Sequence, residues 1–73
     1  MKIRKFVEDL GYGRVSNRVA YALDESNLPE PVAGAKWRED KDFNESESAE
    51  NHGFHRVLEA ARRNGVAVVE KKL

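Results

Sequence analysis

The first ten residues carry apolar side chains at a helical spacing. Positions i, i+3, i+4 and i+7 of one helical stripe are taken by Ile3, Phe6, Val7 and Leu10. As a strand, the same segment would place Ile3 and Phe6 on opposite faces. The pattern therefore predicts a helix over residues 2–10. Gly11, which readily adopts the left-handed conformation that follows a helix, is its predicted end.

The segment at 15–23 fits two different periods. One helical face would consist of Val15, Val19, Ala22 and Leu23. Ser16 is a suitable N-cap for that helix, so we predict a helix over about residues 16–25. A strand period of two fits Val15, Val19, Tyr21 and Leu23. Only Asn17 interrupts the second pattern, so a strand is the alternative.

A third amphipathic pattern lies near the end of the chain. Its apolar face consists of Phe54, Val57, Leu58 and Ala61. Arg62 and Arg63 suit the negative end of the helix dipole, and Gly65 is a typical stop. The helix is therefore predicted to end near Arg63. Its start is open between the acidic stretch 44–50 and a cap at Asn51.

Residues 66–70, with the sequence VAVVE, are apolar on both faces and predict a strand. The backbone groups of this strand must pair with another strand. Residues 35–38 are one candidate within the chain, and residues 15–23 are another if they form a strand. The same strand of a second copy is the third candidate. We favour pairing within the chain and predict a monomer or a weak homodimer.

The middle of the chain has no sustained hydrophobic period. Two prolines favour extended backbone over residues 28–32, and a short strand could form at 35–38. Trp37 and Phe43 are spaced so that they can hold this region against a core. Residues 38–50 have little apolar area to offset the entropy of ordering, so they are predicted to be a mobile acidic segment.

These elements predict a small α+β domain that spans residues 1–73. Two to three helices would pack on a small sheet that includes the strand at 66–70. A chain of 73 residues has room for one domain. The predicted core contains Phe6, Leu10, Leu58 and Val68.

The charges balance overall but are unevenly distributed. The chain has 13 basic and 13 acidic side chains. Residues 1–23 carry five basic and two acidic ones, residues 24–51 carry three and nine, and residues 52–73 carry five and two. One interpretation is that the acidic middle folds back on the basic ends. The other is that it forms an acidic surface for a basic partner.

The residue types of catalysis and metal binding form no strong pattern. Cysteine is absent, so neither a disulfide nor a thiolate is available. His52, His55 and Glu59 have helical spacing, but a structural metal site needs four ligands, and His55 with Glu59 is explained as a surface helix pair. We therefore predict no enzymatic activity, no metal and no cofactor.

The hydrophobic runs are short. None approaches the roughly 20 residues that a membrane-spanning helix requires, and the basic start of the chain lacks a small-residue cleavage site. We therefore predict no membrane partner and a cytoplasmic location.

The composition favours a small non-enzymatic binding or regulatory protein that acts through protein–protein contacts. The contact surface would come from the acidic middle with Trp37, or from the terminal strand. The candidate partner-binding residues are Trp37, Glu39, Asp40, Asp42 and Val68.

The alternative is a small DNA-binding regulator. A helix, a glycine turn and a second helix at 2–25 would resemble a helix-turn-helix, and the terminal helix and strand resemble the ending of winged-helix domains in outline. The candidate nucleic-acid-binding residues are Lys2, Arg4, Lys5, Asn17 and Arg18. A pI near 6.7 argues against this alternative, because such domains are usually strongly basic.

Overall fold

The structure is a computed structural model that describes residues 2–46 and 54–70. Its strands are β1 (Arg4–Gly11), β2 (Arg14–Ala22), β3 (Lys36–Asp40) and β4 (Val66–Glu70). One helix, α1 (Phe54–Asn64), precedes β4, and a short 3-10 turn follows β2 at Glu25–Asn27. The strands form one antiparallel sheet in the order β3-β1-β2-β4. The chain therefore places β3 and β4 at opposite edges.

The predicted fold class is wrong in its balance of helix and sheet. The described residues form a four-stranded antiparallel sheet with one α-helix, α1, and not two to three helices on a small sheet. The segments predicted as helices at 2–10 and 16–25 instead supply β1 and β2. For the second segment, the period-two alternative describes the observed strand.

The start of the chain has apolar side chains on both faces of the sheet, because the sheet is covered on both sides. Ile3 packs on the α1 side of the sheet, in a cluster that contains Leu58. Phe6 packs on the other side with Ala20 and Ala22. A strand with one buried face would keep its apolar residues on that face, whereas a sheet between two layers needs them on both. The spacing of Ile3 and Phe6 is thus compatible with either element.

Two glycines and a tyrosine turn the chain between β1 and β2. Gly11 pairs with Arg14, which leaves Tyr12 and Gly13 as the turn. Their φ angles are 54° and 74°, and positive values at both positions define the tight turn that matches the twist of a hairpin. Gly11 therefore precedes a hairpin turn and does not end a helix.

β4 pairs with β2 along its length, from Arg18 opposite Glu70 to Ala22 opposite Val66. The prediction of pairing within the chain is confirmed, and the partner is the segment 15–23 as a strand. The second candidate segment, at 35–38, overlaps β3, which pairs with β1 at the other edge.

The C-terminal predictions agree with the structure. α1 ends at Asn64, one residue beyond the predicted end, and the strand at 66–70 has the predicted bounds. Leu58 and Ala61 of α1 are buried against the sheet. The two predicted starts of this helix, in the stretch 44–50 and at Asn51, concern mainly residues 47–53, and these lie outside the described ranges.

The predicted core is half correct. Phe6 and Leu58 are buried, whereas Leu10 and Val68 are 38% and 40% exposed. Leu10 lies beside the hairpin turn, at the end of β1. Val68 lies on an edge strand and, being opposite Ala20, faces away from α1. Position in the sheet, which periodicity does not report, thus decides the exposure of both residues.

The described part of the acidic segment contacts the rest of the domain. Phe43 packs against Tyr21, with ring centroids 5.5 Å apart. Glu45 accepts a hydrogen bond from the Ile3 backbone N–H at 3.1 Å and pairs with Arg62. The mobility of residues 38–50 stays a prediction, and residues 47–50 lie outside the described ranges.

Candidate functional site

A proline-containing segment lies against the sheet face opposite α1. Leu28 packs there on the cluster of Phe6, Ala20 and Ala22. Its φ and ψ of −71° and 140° are those of extended, polyproline-like backbone, as predicted for a residue that precedes a proline. Residues 28–32 thus form a second layer on the sheet, with α1 on the other side.

Glu8 lies beneath this segment and is fully buried. Its carboxylate accepts hydrogen bonds from the Arg18 guanidinium, the Ser16 hydroxyl and the Val32 backbone N–H, the last at 2.8 Å. The hydrogen bond from Arg18 is the main reason that the pKa of Glu8 falls from 4.5 to about 2, against the opposing effect of burial. Glu8 is therefore a charged, hydrogen-bonded link between two strands and the segment above them.

An irregularity in the sheet brings both β2 side chains to Glu8. Between the pairs Val7–Val19 and Asp9–Val15, β1 contributes only Glu8. Over the same distance β2 contributes three residues, 16–18, and its register shifts. Because a bulge re-aims side chains, both Ser16 and Arg18 can reach one carboxylate.

Trp37 holds the same segment from β3. Its indole N–H donates to the Pro29 carbonyl at 2.7 Å. The Arg18 guanidinium lies 5.4 Å from the Trp37 ring centroid, and one of its nitrogens donates to the Glu30 carbonyl at 3.3 Å. Hydrogen bonds to residues 29, 30 and 32 therefore fix the segment on the sheet.

A cavity of about 310 Å³ opens between the segment and the sheet. We call the residues that line it the Trp37 surface: Phe6, Glu25, Leu28, Pro29, Glu30, Pro31 and Trp37. Phe6 is buried, whereas Glu25 and Glu30 are exposed, so the cavity combines an aromatic, apolar interior with carboxylates open to solvent. The lining is therefore mixed, with aromatic and proline carbons beside exposed carboxylates, and it can contact an occupant that has both apolar and charged parts.

The charge around the cavity is negative. Arg4 donates to Glu39 at 2.6 Å and 3.1 Å and to Glu25 at 3.2 Å. Glu30 has no ion pair within the described ranges. Glu25 and Glu39 share Arg4, and the nearby Arg18 pairs with Glu8. With Glu30, four carboxylates thus accompany two guanidiniums. The hydrogen bonds from Arg4 lower the pKa of Glu39, so its charge persists in mildly acidic solution.

The residues predicted to bind a partner do not form one site. Trp37, Glu39 and Asp40 share β3, and Asp42 follows it. Trp37 and Glu39 lie on the face opposite α1, where Trp37 is the cross-strand neighbour of Glu8 and Glu39 that of Phe6. Asp40 points to the other face and forms an ion pair with Lys5. Val68 is on β4, at the far edge of the sheet.

The residues predicted to bind nucleic acid are distributed in the sheet. Asn17 and Arg18 lie in β2, so no recognition helix forms at these positions. Three of the cations form ion pairs within the sheet: Arg4 with Glu25 and Glu39, Lys5 with Asp40, and Arg18 with Glu8. Lys2 is exposed just before β1. The two helices predicted for a helix-turn-helix at 2–25 are therefore wrong, and nucleic-acid binding by these residues stays a prediction.

Sequence reasoning misses Glu8 and most of the Trp37 surface. Read within a helix, Glu8 is only one more charge, whereas its place between Phe6 and Leu10 in a strand puts it on an apolar face. The prolines predict an extended backbone at Pro29 and Glu30 but no role for either residue. The available signal is the period-two pattern of β1 and β2, which implies a face that residues 28–32 can cover.

Comparison of the chain with protein-family models, with curated proteins and with solved structures found no match. In residues 2–46 and 54–70, no helix has the length and apolar character to cross a membrane. The same residues contain no group of three or more side chains placed to hold a metal ion. His52, one of the candidate ligands, lies outside the described ranges.

Proposed function

We propose that this is a non-enzymatic binding protein that recognises a partner protein through the Trp37 surface. The observation that carries the proposal is the cavity of about 310 Å³, with Trp37 and Phe6 in its lining. Aromatic side chains that line partly open pockets are typical anchors of protein interfaces. The proposal includes a cytoplasmic location, which a cysteine-free composition permits.

The fixed position of the proline-containing segment supports this proposal. Hydrogen bonds from Trp37, Arg18 and Val32 hold the segment in place before any partner arrives. A site that is already ordered loses less conformational entropy on binding, so more of the contact energy becomes affinity.

The edge position of β3 also supports it. In the described sheet β3 pairs only with β1, so its other side offers backbone groups beside Trp37. An extended peptide can pair with such an edge and place alternate side chains against the neighbouring face. We therefore propose that the partner presents an extended segment to β3 and a side chain to the cavity.

Selection from a random peptide display library tests the proposal while the partner is still unidentified. The folded protein is the bait, and each enriched peptide is measured again with Trp37→Ala. Peptides that bind the wild type and lose at least about tenfold in affinity with Trp37→Ala, equal to about 1.4 kcal/mol, are the expected result.

Val68→Ala is the matched control, because Val68 is exposed on the opposite edge and should leave binding unchanged. Trp37→Phe keeps an aromatic ring but removes the hydrogen bond to Pro29, and circular dichroism of both Trp37 variants shows whether a loss of binding comes from unfolding. A selection whose peptides bind wild type and Trp37→Ala equally, or that enriches none, would contradict the proposal.

A further inference from the structure

We infer that the cavity of the Trp37 surface binds a basic side chain, lysine or arginine, of the partner. The inference rests on the proposed function and specifies the chemistry of the occupant. Three features of the described residues carry it: the excess of carboxylates, the apolar part of the lining, and the way in which the chain's own arginines contact the same aromatic rings.

The carboxylates supply the charge complementarity. Glu25 and Glu30 line the cavity. Glu39 lies on the same face of β3 as Trp37 and is the cross-strand neighbour of Phe6, which also lines the cavity. Arg4 contacts Glu25 and Glu39, and Glu30 is left with no ion pair to any other described residue. An arriving cation therefore meets a net negative site, whereas an acidic peptide or a nucleic-acid phosphate would be repelled.

The lining suits the rest of a long basic side chain. Lysine and arginine bury their methylene stems on apolar surface while the charged group stays near solvent. Leu28, Pro29 and Pro31 offer such a surface, and the exposed carboxylates of Glu25 and Glu30 can receive the charged end. A neutral apolar side chain would fill the lining and leave both carboxylates unused.

The chain already shows this chemistry on the same rings. The Arg4 guanidinium lies 5.1 Å from the centroid of Phe6, and that of Arg18 lies 5.4 Å from the centroid of Trp37. Both distances are within the range of an attractive cation–π contact. Each arginine is also held by carboxylates, so these contacts show that the rings accept a guanidinium, and a partner's cation would instead reach the exposed carboxylates of Glu25 and Glu30.

The test uses three blocked peptides, acetyl-Gly-Xaa-Gly-amide, with Xaa as arginine, lysine or citrulline. Citrulline keeps the shape of arginine without its charge. The chain contains a single tryptophan, so its fluorescence reports on the cavity directly, and amide chemical shifts locate the contact. We expect the arginine and lysine peptides to shift the Trp37 and Glu30 signals and citrulline to bind about two- to fivefold more weakly.

Glu30→Gln removes the carboxylate that has no ion pair among the described residues, and Glu59→Gln on α1 is the matched control. Glu30→Gln should weaken the arginine peptide by about two- to fivefold and reduce its salt dependence, with the thermal midpoint unchanged, whereas Glu59→Gln should match the wild type.

Equal binding of arginine and citrulline, or an unchanged affinity in Glu30→Gln, would overturn the inference. So would the absence of shifts at Trp37 and Glu30 with any of the three peptides. Display peptides that depend on Trp37 but contain no lysine or arginine would overturn it too, while leaving the proposed function intact. Loss of the Trp37 dependence itself would instead contradict the proposed function.

Discussion

Among single residues, Glu8 links β1 and β2 to the segment at residues 28–32, of which residues 28–31 line the Trp37 surface. A buried carboxylate loses its hydration, and that loss is compensated only when hydrogen bonds and an opposite charge replace the water. Arg18, Ser16 and Val32 supply these replacements from β2 and from the segment above the sheet. The charge of Glu8 therefore helps to hold the end of this segment, at Val32, on the sheet.

Glu8→Gln should destabilise the fold by about 1–3 kcal/mol at pH 7, because an amide cannot accept all the hydrogen bonds that the carboxylate takes from its partners. The pKa of Glu8 is about 2 in the folded protein and 4.5 ordinarily, so the unfolded chain takes up the proton first as the pH falls. The stabilisation is thus complete above about pH 5 and decreases toward pH 2.

Urea unfolding of the wild type and Glu8→Gln at pH 7 and pH 3 measures both effects. The difference between the two proteins should be smaller at pH 3. Glu59→Gln, at an exposed position on α1, provides the control. A difference of the same size at both pH values would show that the charge of Glu8 is not responsible.

Tyr12 is the described residue other than glycine with a positive φ, and its side chain is fully exposed. The left-handed conformation costs most residues about 1–2 kcal/mol, and asparagine tolerates it better. Tyr12→Asn should therefore stabilise the protein by about 0.5–1 kcal/mol, and Tyr12→Val should destabilise it. Thermal denaturation of the three proteins checks the order; a less stable Tyr12→Asn would mean that the tyrosine ring makes stabilising contacts.

At the residue scale, sequence identifies Trp37 but not its surroundings. A lone tryptophan in a polar region is conspicuous without any structure. The hydrogen bonds of Glu8 depend on a register shift between β1 and β2 that no local pattern encodes. The contact between Trp37 and Pro29 depends on which strand the segment crosses, which is a property of the assembled sheet.

The secondary-structure elements divide by how locally their order is determined. α1 and β4 follow one another through Gly65, and their periodicity is sufficient to predict them. β1 and β2 form a hairpin, but the stripe of Ile3, Phe6, Val7 and Leu10 fits a helix as well as a two-sided strand. A single sequence does not reveal that residues 28–32 cover the second face.

The contact between α1 and the sheet should supply much of the stability. Leu58 is 5% exposed in the cluster with Ile3 and Tyr21. Leu58→Ala should cost about 2–5 kcal/mol, because the lost side chain leaves a cavity between helix and sheet. Leu10→Ala is the same chemical change at a site that is 38% exposed, and its cost should be clearly smaller. Equal midpoints in chemical denaturation for the two variants would refute this packing.

For the whole molecule, the ion pairs account for the uneven charge along the chain. Basic residues near the start pair with acidic residues of the middle, as Arg4 does with Glu39 and Lys5 with Asp40. Arg62 near the end pairs with Glu45. These contacts support the interpretation that the acidic middle folds back on the basic ends, and they leave the Trp37 surface with its negative excess.

The same charge arrangement predicts weak interaction with DNA. Arg4, Lys5 and Arg18 already contact carboxylates, so few of them are available to replace counterions on phosphates. We expect no detectable binding to a random duplex at low salt in a fluorescence anisotropy titration. Binding that weakens steeply as salt rises would instead favour the DNA-binding alternative.

Mapping a bound peptide onto the protein decides whether the Trp37 surface is the binding site. The tightest peptide from the display selection is titrated into ¹⁵N-labelled protein, and the shift of each amide is followed. We predict the largest changes at Leu28, Glu30 and the indole of Trp37, with β4 and the exposed face of α1 unaffected. Changes centred on β4 or α1, with Trp37 unmoved, would place the site elsewhere and contradict the proposal.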